Sequence, residues 1–314
     1  MLNRRHLRIK VLQALYAFTQ SDNKSLTAGE KELLHSIDKM YDLYILYLLV
    51  LPELKFFAER KSEERKRKIL ATEESLNPNR NFLDNQLIAL LEDNLMLKRK
   101  SEELKLDWIG DVNQDLIKKL YLQIESSDLY IAYMAIENPD FDQQKDFILK
   151  LFKREICNSP ILLNHFEEMR IHWQDDFDHV FGMSLKTLKN FDKNSDELTD
   201  IFNLYKDDEE EFVSKLFNKA VTNFESYTEL LGKYTKNWDS ERLAKMDIFI
   251  MVLAITEAKE FSTIPLKVTL NEYIEISKFY STPKSNTFIN GVLDKLFGDL
   301  QKDGSIRKVG RGLV

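Results

Sequence analysis

The sequence predicts an all-α protein, and three observations carry that prediction. Only nine glycines and six prolines occur in 314 residues, too few for a turn-rich β architecture. Leu, Lys, Glu, Asp, Asn and Phe dominate instead. Apolar stripes at helical spacing stand near both ends of the chain. Neither GxGxxG nor GxxxxGK[ST] is present, so the glycine-lined phosphate loops of nucleotide-binding folds are not expected.

The first element is a basic helix starting near Asn3. Leu7, Val11, Ala14, Leu15 and Phe18 form its apolar stripe, while Arg4 and Arg8 share another face with Arg5 and His6 alongside. Cations at a helix start oppose the helix dipole, so they do not serve helix stability. Guanidinium groups clustered in this way suit phosphate oxygens and base stacking; a frayed basic terminus is the plainer reading. Basic residues ahead of residues 11–18 imitate a secretion signal, but Lys10 and Gln13 interrupt the apolar stretch and no small-x-small cleavage pattern follows.

The apolar run at residues 43–52 is about half of what a bilayer span requires. Residues 60–68 are a mixed charge run, expected as a solvated helix face with RNA contact as the alternative. Residues 73–81, 137–142 and 191–197 break periodicity and read as connections. The lone Cys157 permits no internal disulfide, suits a reducing compartment, and reads as a small buried hydrophobe. Together these predict a cytoplasmic protein.

Trp108, Trp173 and Trp238 stand at equal intervals of 65 residues. Phe82, Phe147 and Phe212 precede them in matching register, and Asp111, Asp176 and Glu241 follow. A period of this size predicts a helix, a connection near the tryptophan and a second helix, used more than once. Internal duplication and convergent helical patterning both fit. The acids fall in a first helical turn, where the dipole favours them.

Catalytic constellations are not legible. His172 and His179 flank Asp175 and Asp176, but no HExxH spacing or cysteine ligand accompanies them. No metal, cofactor or catalytic residue is expected, and the protein is predicted not to be an enzyme. The overall charge of −7 confines any nucleic-acid contact to a patch.

Near Leu243 a helix begins that is apolar in nearly every direction, which predicts burial. Asp247 on it fits either a solvated first turn or a partner interface. Thr269 followed by Glu272 reads as a capping box, with Leu270, Tyr273, Ile274 and Ser277 on one face. Thr282 and Pro283 are expected to start the last helix, which Phe288, Ile289, Val292, Leu293 and Leu296 continue. Gly291 inside that helix costs about 1 kcal/mol against alanine, which predicts close packing of a helix or ligand there.

Four stretches then resemble the NusB family of transcription antitermination proteins. They are Arg4-Arg5-His6-Leu7-Arg8 with Val11 through Tyr16, Leu243-Ala244-Lys245-Met246-Asp247, Ile264-Pro265-Leu266-Lys267-Val268 with Asn271-Glu272, and Phe288-Ile289-Asn290-Gly291-Val292-Leu293-Asp294. The resemblance implies a NusB-like helical bundle that pairs with the ribosomal protein NusE on single-stranded boxA RNA in ribosomal transcripts, within a transcription elongation complex. It implies Arg4, Arg5, His6 and Arg8 as RNA contacts, with Phe288 and Asn290 near RNA; Phe288 fits the core equally. It also implies Tyr16, Glu241 and Asp247 at the NusE contact. NusB-like domains occur fused to RNA methyltransferases as well, but neither a glycine-rich cofactor loop nor a catalytic cysteine follows Leu296.

The expected organisation is a NusB-like helix at residues 1–23, a helical insertion with the 65-residue repeat at 24–211, the rest of the bundle at 212–300, and a basic flexible tail at 301–314. A helical protein-interaction scaffold in transcription or ribosome assembly, with secondary RNA binding, is the alternative reading.

Overall fold

A computed structural model describes residues 3–22, 25–67, 77–173, 175–235 and 244–310. These residues form fourteen α-helices, with one π-helical and one 3-10 segment and no strand. The chain divides into two compact units, Met1–Ile37 with Leu204–Val314, and Asp38–Asn203. The division falls inside the long helix α2 (Leu26–Lys66).

The first unit holds α1 (Arg4–Gln20), α10 (Glu209–Thr222), α11 (Phe224–Tyr234), α12 (Lys245–Glu260), α13 (Leu266–Tyr280) and α14 (Ser285–Lys302). Asn3 caps α1, its Oδ1 accepting the His6 N–H at 3.0 Å. Leu7, Val11, Leu12 and Leu15 form the buried stripe. At the centre lies α12, which contacts α1, α10, α11, α13 and α14. Its unbroken run from Phe249 to Ala258 is buried, the outcome that an apolar circumference dictates. Gly29, early in α2, is the tight glycine of this unit: an added Cβ would lie 2.6 Å from the Phe18 ring and 3.0 Å from Phe217.

The second unit is built on the part of α2 from Asp38 onward, with α3 (Gln86–Asp93), α4 (Leu95–Leu104), α5 (Asp111–Glu125), α6 (Asp128–Met134), α7 (Phe141–Leu151), α8 (Pro160–Met169) and α9 (Phe177–Asn190). Leu43 to Leu48 of α2 are almost wholly buried. The helix runs on through Pro52, although proline supplies no N–H to its ladder. No helix among the described residues is long and apolar enough to cross a membrane.

The tryptophan period has a physical counterpart here. The Trp108 indole N–H donates to the Leu46 carbonyl at 3.2 Å, and the Trp173 indole N–H donates to the Lys39 carbonyl at 2.5 Å. Both acceptors belong to α2, seven residues apart. Trp108 lies in the connection between α4 and α5, and Trp173 in the connection between α8 and α9, while the first period also contains α3 and α6. Trp238 itself and Glu241 lie outside the described residues. Asp111 stands in the first turn of α5, whereas Asp176 is buried at the N-cap of α9.

Three local expectations change. Thr269 is no cap, because Pro265 occupies the N-cap position of α13 and places Thr269 inside the helix. The final helix starts at Ser285, after a turn through Pro283 and Lys284. Of residues 301–314, expected as a flexible tail, 301 and 302 end α14 and 303–310 are tied down: the Val309 N–H donates to Ser262 O at 3.0 Å, Lys308 Nζ donates to Phe261 O at 2.9 Å, and Ile306 is buried.

Candidate nucleic-acid interface

The basic helix is fixed to the first unit by its third arginine. Arg8 turns inward, where Nε and Nη2 donate to Glu257 Oε2 and Oε1 at 2.6 and 2.8 Å. Thr269 Oγ1 and the Tyr273 hydroxyl donate to the same carboxylate at 2.8 and 3.3 Å. Glu257 is 0% exposed and Arg8 2%. Burial disfavours the Arg8 cation, yet the hydrogen bonds and charge of Glu257 outweigh it and hold the pKa above its usual value. A charge removed from water in this way is tolerated only when fully paired. Arg8 is therefore committed to joining α1, α12 and α13, and its side chain does not reach solvent as an RNA contact would.

Arg4, Arg5 and His6 keep to the surface. With Asn3 and Arg8 they line an open cleft of about 1020 Å³, whose other walls include Asp207, Asp208, Ile264, Pro265, Val268 and Glu272. Arg4 Nη2 meets Asp208 Oδ1 at 2.6 Å, and its guanidinium stands 4.7 Å from the centre of the Phe212 ring. Arg5 forks onto Glu272 at 2.9 and 2.8 Å. The Arg5 hydrogen bond holds the Glu272 pKa below the usual carboxylate value, and Glu272 raises that of Arg5. Burial, with Arg5 and Lys10 nearby, lowers His6 to about 4, so its ring is neutral at pH 7. The N-terminus of α13 borders the same cleft through Pro265, adding the positive end of a helix dipole. The arrangement offers two surface guanidinium groups, a neutral imidazole and a dipole end to an anionic ligand.

The other expected site residues lie elsewhere. Phe288 is buried on α14 and joins the core stripe, while Asn290 and Gly291 are exposed. A Cβ on Gly291 would meet nothing within 4 Å, so the close packing expected there is absent from the fold. Gly291→Ala is accordingly expected to stabilise the protein by about 1 kcal/mol, read by thermal or urea denaturation.

Tyr16 is 38% exposed, edge-on to Phe249 at 5.4 Å and under Lys245 Nζ at 5.7 Å. Asp247 is buried at 3% exposure. Its carboxylate accepts hydrogen bonds from the Ser281 and Ser285 hydroxyls, the latter at 3.0 Å, so its charge serves the turn between α13 and α14. Asp247 therefore does not present its carboxylate to solvent, where a partner contact would need it. Among the described residues no group of three or more His, Cys, Asp or Glu is placed to hold a metal ion. Cys157 is buried, and burial raises its thiol pKa to about 12.

Sequence reasoning missed Glu257 and Phe212 as the partners of Arg8 and Arg4, and Asp208 and Glu272 as counter-ions. The only advance signal was the concentration of acid at residues 207–211.

Fold and site together define an all-helical protein whose candidate site is an arginine-lined surface cleft. The NusB family model matches residues 177–297 of this chain. Proteins named transcription antitermination protein NusB are similar over this part. The one from Salinibacter ruber is 40% identical over 104 residues, covering 33% of this chain and 65% of that protein. The one from Chloroherpeton thalassium is 38% identical, covering 33% of this chain and 49% of its own length. The one from Natranaerobius thermophilus is 35% identical over 92 residues, covering 29% and 66% respectively. The chain thus spans less than two thirds of the length of the curated relatives it matches, and at 314 residues it is longer than they are. No solved structure matches it.

The match begins at Phe177, so it takes in α9 ahead of α10 to α14. Helix α1 lies outside it. The Arg8–Glu257 pair nevertheless anchors α1 onto matched residues, since Glu257, Thr269 and Tyr273 all fall within 177–297.

Proposed function

We propose that this protein is a transcription antitermination factor that binds single-stranded boxA-type RNA through the cleft beside α1 and does so together with the ribosomal protein NusE. The observation that carries the reading is the convergence of Arg4, Arg5, His6 and the N-terminus of α13 on one open cleft. Phosphates would be met by the guanidinium groups, and unpaired bases by the exposed faces near them. Asn290, exposed on α14, is a second RNA contact in this reading, whereas Arg8 and Phe288 act from the interior. Tyr16 with Lys245 is the NusE-facing surface, backed by Phe249. The role is non-enzymatic, in keeping with the family, and its setting is the transcription elongation complex.

Fluorescence anisotropy with boxA-like RNA, alone and with NusE, tests this. NusE is expected to tighten binding about tenfold or more, and a Tyr16→Ala variant is expected to lose most of that gain while still binding RNA alone. Equal weak binding to scrambled RNA, unimproved by NusE, would overturn the reading.

A further inference from the structure

We infer that Asp208 and Glu272 are built-in competitors for RNA phosphate at the arginine cleft, so that RNA enters by exchanging with carboxylates already seated on Arg4 and Arg5. The inference rests on the RNA reading above and concerns how that site is regulated.

The geometry is that of phosphate recognition with a carboxylate in the phosphate's place. Arg5 forks onto both oxygens of Glu272 at 2.9 and 2.8 Å, and Arg4 meets Asp208 at 2.6 Å. A planar guanidinium binds carboxylate and phosphate through the same two parallel hydrogen bonds.

Asp208 has an alternative use that it does not take. It occupies the N-cap position of α10, where aspartate ordinarily accepts from the helix's own N–H groups, yet it makes no such bond and reaches Arg4 instead. Its neighbour Asp207 also lines the cleft and is held at φ +47°, one of three non-glycine residues with positive φ among the described residues. The chain is thus bent where it brings two acids to a cationic cleft.

These pairs are not what holds α1 in place, because the buried Arg8–Glu257 pair does that. The Asp208 side chain is 64% exposed, and an exposed ion pair contributes little to stability. It is therefore easily exchanged. A run of phosphates displaces both carboxylates at once, whereas an isolated weak anion must compete with each at its effective local concentration. The result is a cleft that discriminates against stray anions and has a flatter salt dependence than its arginines alone would give.

The test uses the full chain and fluorescein-labelled boxA-like and scrambled single-stranded RNA, titrated over a range of salt. Asp208→Asn is expected to bind both RNAs about threefold tighter at low salt. The slope of log affinity against log salt should steepen by about 0.7, the value for one added phosphate contact on a single strand. Glu272→Gln, checked for folding by circular dichroism because Glu272 also lies 3.6 Å from Arg8, should shift affinity in the same direction. Asp207→Asn provides a further variant at a backbone conformation that asparagine accepts. Wild-type binding with unchanged or weaker binding by Asp208→Asn would overturn the inference alone. Loss of RNA binding in wild type and variants alike would overturn the proposed function itself.

Discussion

Glu257→Ala is expected to unfold the first unit at temperatures where the parent is stable, with a loss of about 3–5 kcal/mol. The substitution leaves the Arg8 guanidinium buried without its anion and strips Thr269 and Tyr273 of their acceptor. Arg8→Ala should cost a similar amount by orphaning the carboxylate. The informative variant is the double replacement Arg8→Met with Glu257→Leu, which removes both charges and fills the space. It should recover most of the loss, since a buried ion pair is worth little more than a well-packed apolar pair. Urea denaturation of the four proteins reads the result. A double variant as unstable as the singles would show that the pair does more than neutralise itself.

Replacing both Arg4 and Arg5 by alanine is expected to leave stability nearly unchanged and to weaken RNA binding about a hundredfold at low salt, roughly tenfold for each lost charge-assisted contact. The salt slope should flatten by less than the about 1.4 that two free phosphate contacts would give, because Asp208 and Glu272 already offset part of the arginines' charge. Anisotropy titrations at several salt concentrations, with melting curves alongside, separate this outcome from that of Arg8→Ala, where binding and folding should fail together. A double variant that retains parental affinity would move the RNA off this cleft.

The contrast between the three arginines shows where the sequence was legible. The stripe of Leu7, Val11 and Leu15 placed α1 correctly, because the helical period is local and repeated. It could not say which of Arg4, Arg5 and Arg8 faces inward, since that depends on an acid 249 residues away. Glu257 is one acid among 52, and nothing near it in the chain distinguishes it.

Thr269 with Glu272 failed for a related reason. The spacing of a capping box was present, but Pro265 had already begun the helix, and each side chain was drawn to a distant partner. Asp247 likewise found Ser281 and Ser285 only through the turn between α13 and α14. Gly291 was noticed through its propensity cost, and the structure shows that cost to be uncompensated within the fold. The all-α class and the burial of α12 were legible because both rest on composition and periodicity summed over many residues.

The two indole hydrogen bonds onto α2 carry a consequence for how the second unit can change in length. Successive residues of a helix turn by about 100°, so seven residues bring the chain back to within about 20° of its starting face. The carbonyls of Lys39 and Leu46 therefore look out on the same side, about 10 Å apart along the axis. The helix works as a ruler with marks two turns apart, each mark receiving one tryptophan. Inserting a single residue between the marks would swing one of them about a quarter of the way round the helix and leave its indole facing side chains. Growth or loss in this part of the protein is thereby restricted to steps that keep the marks aligned.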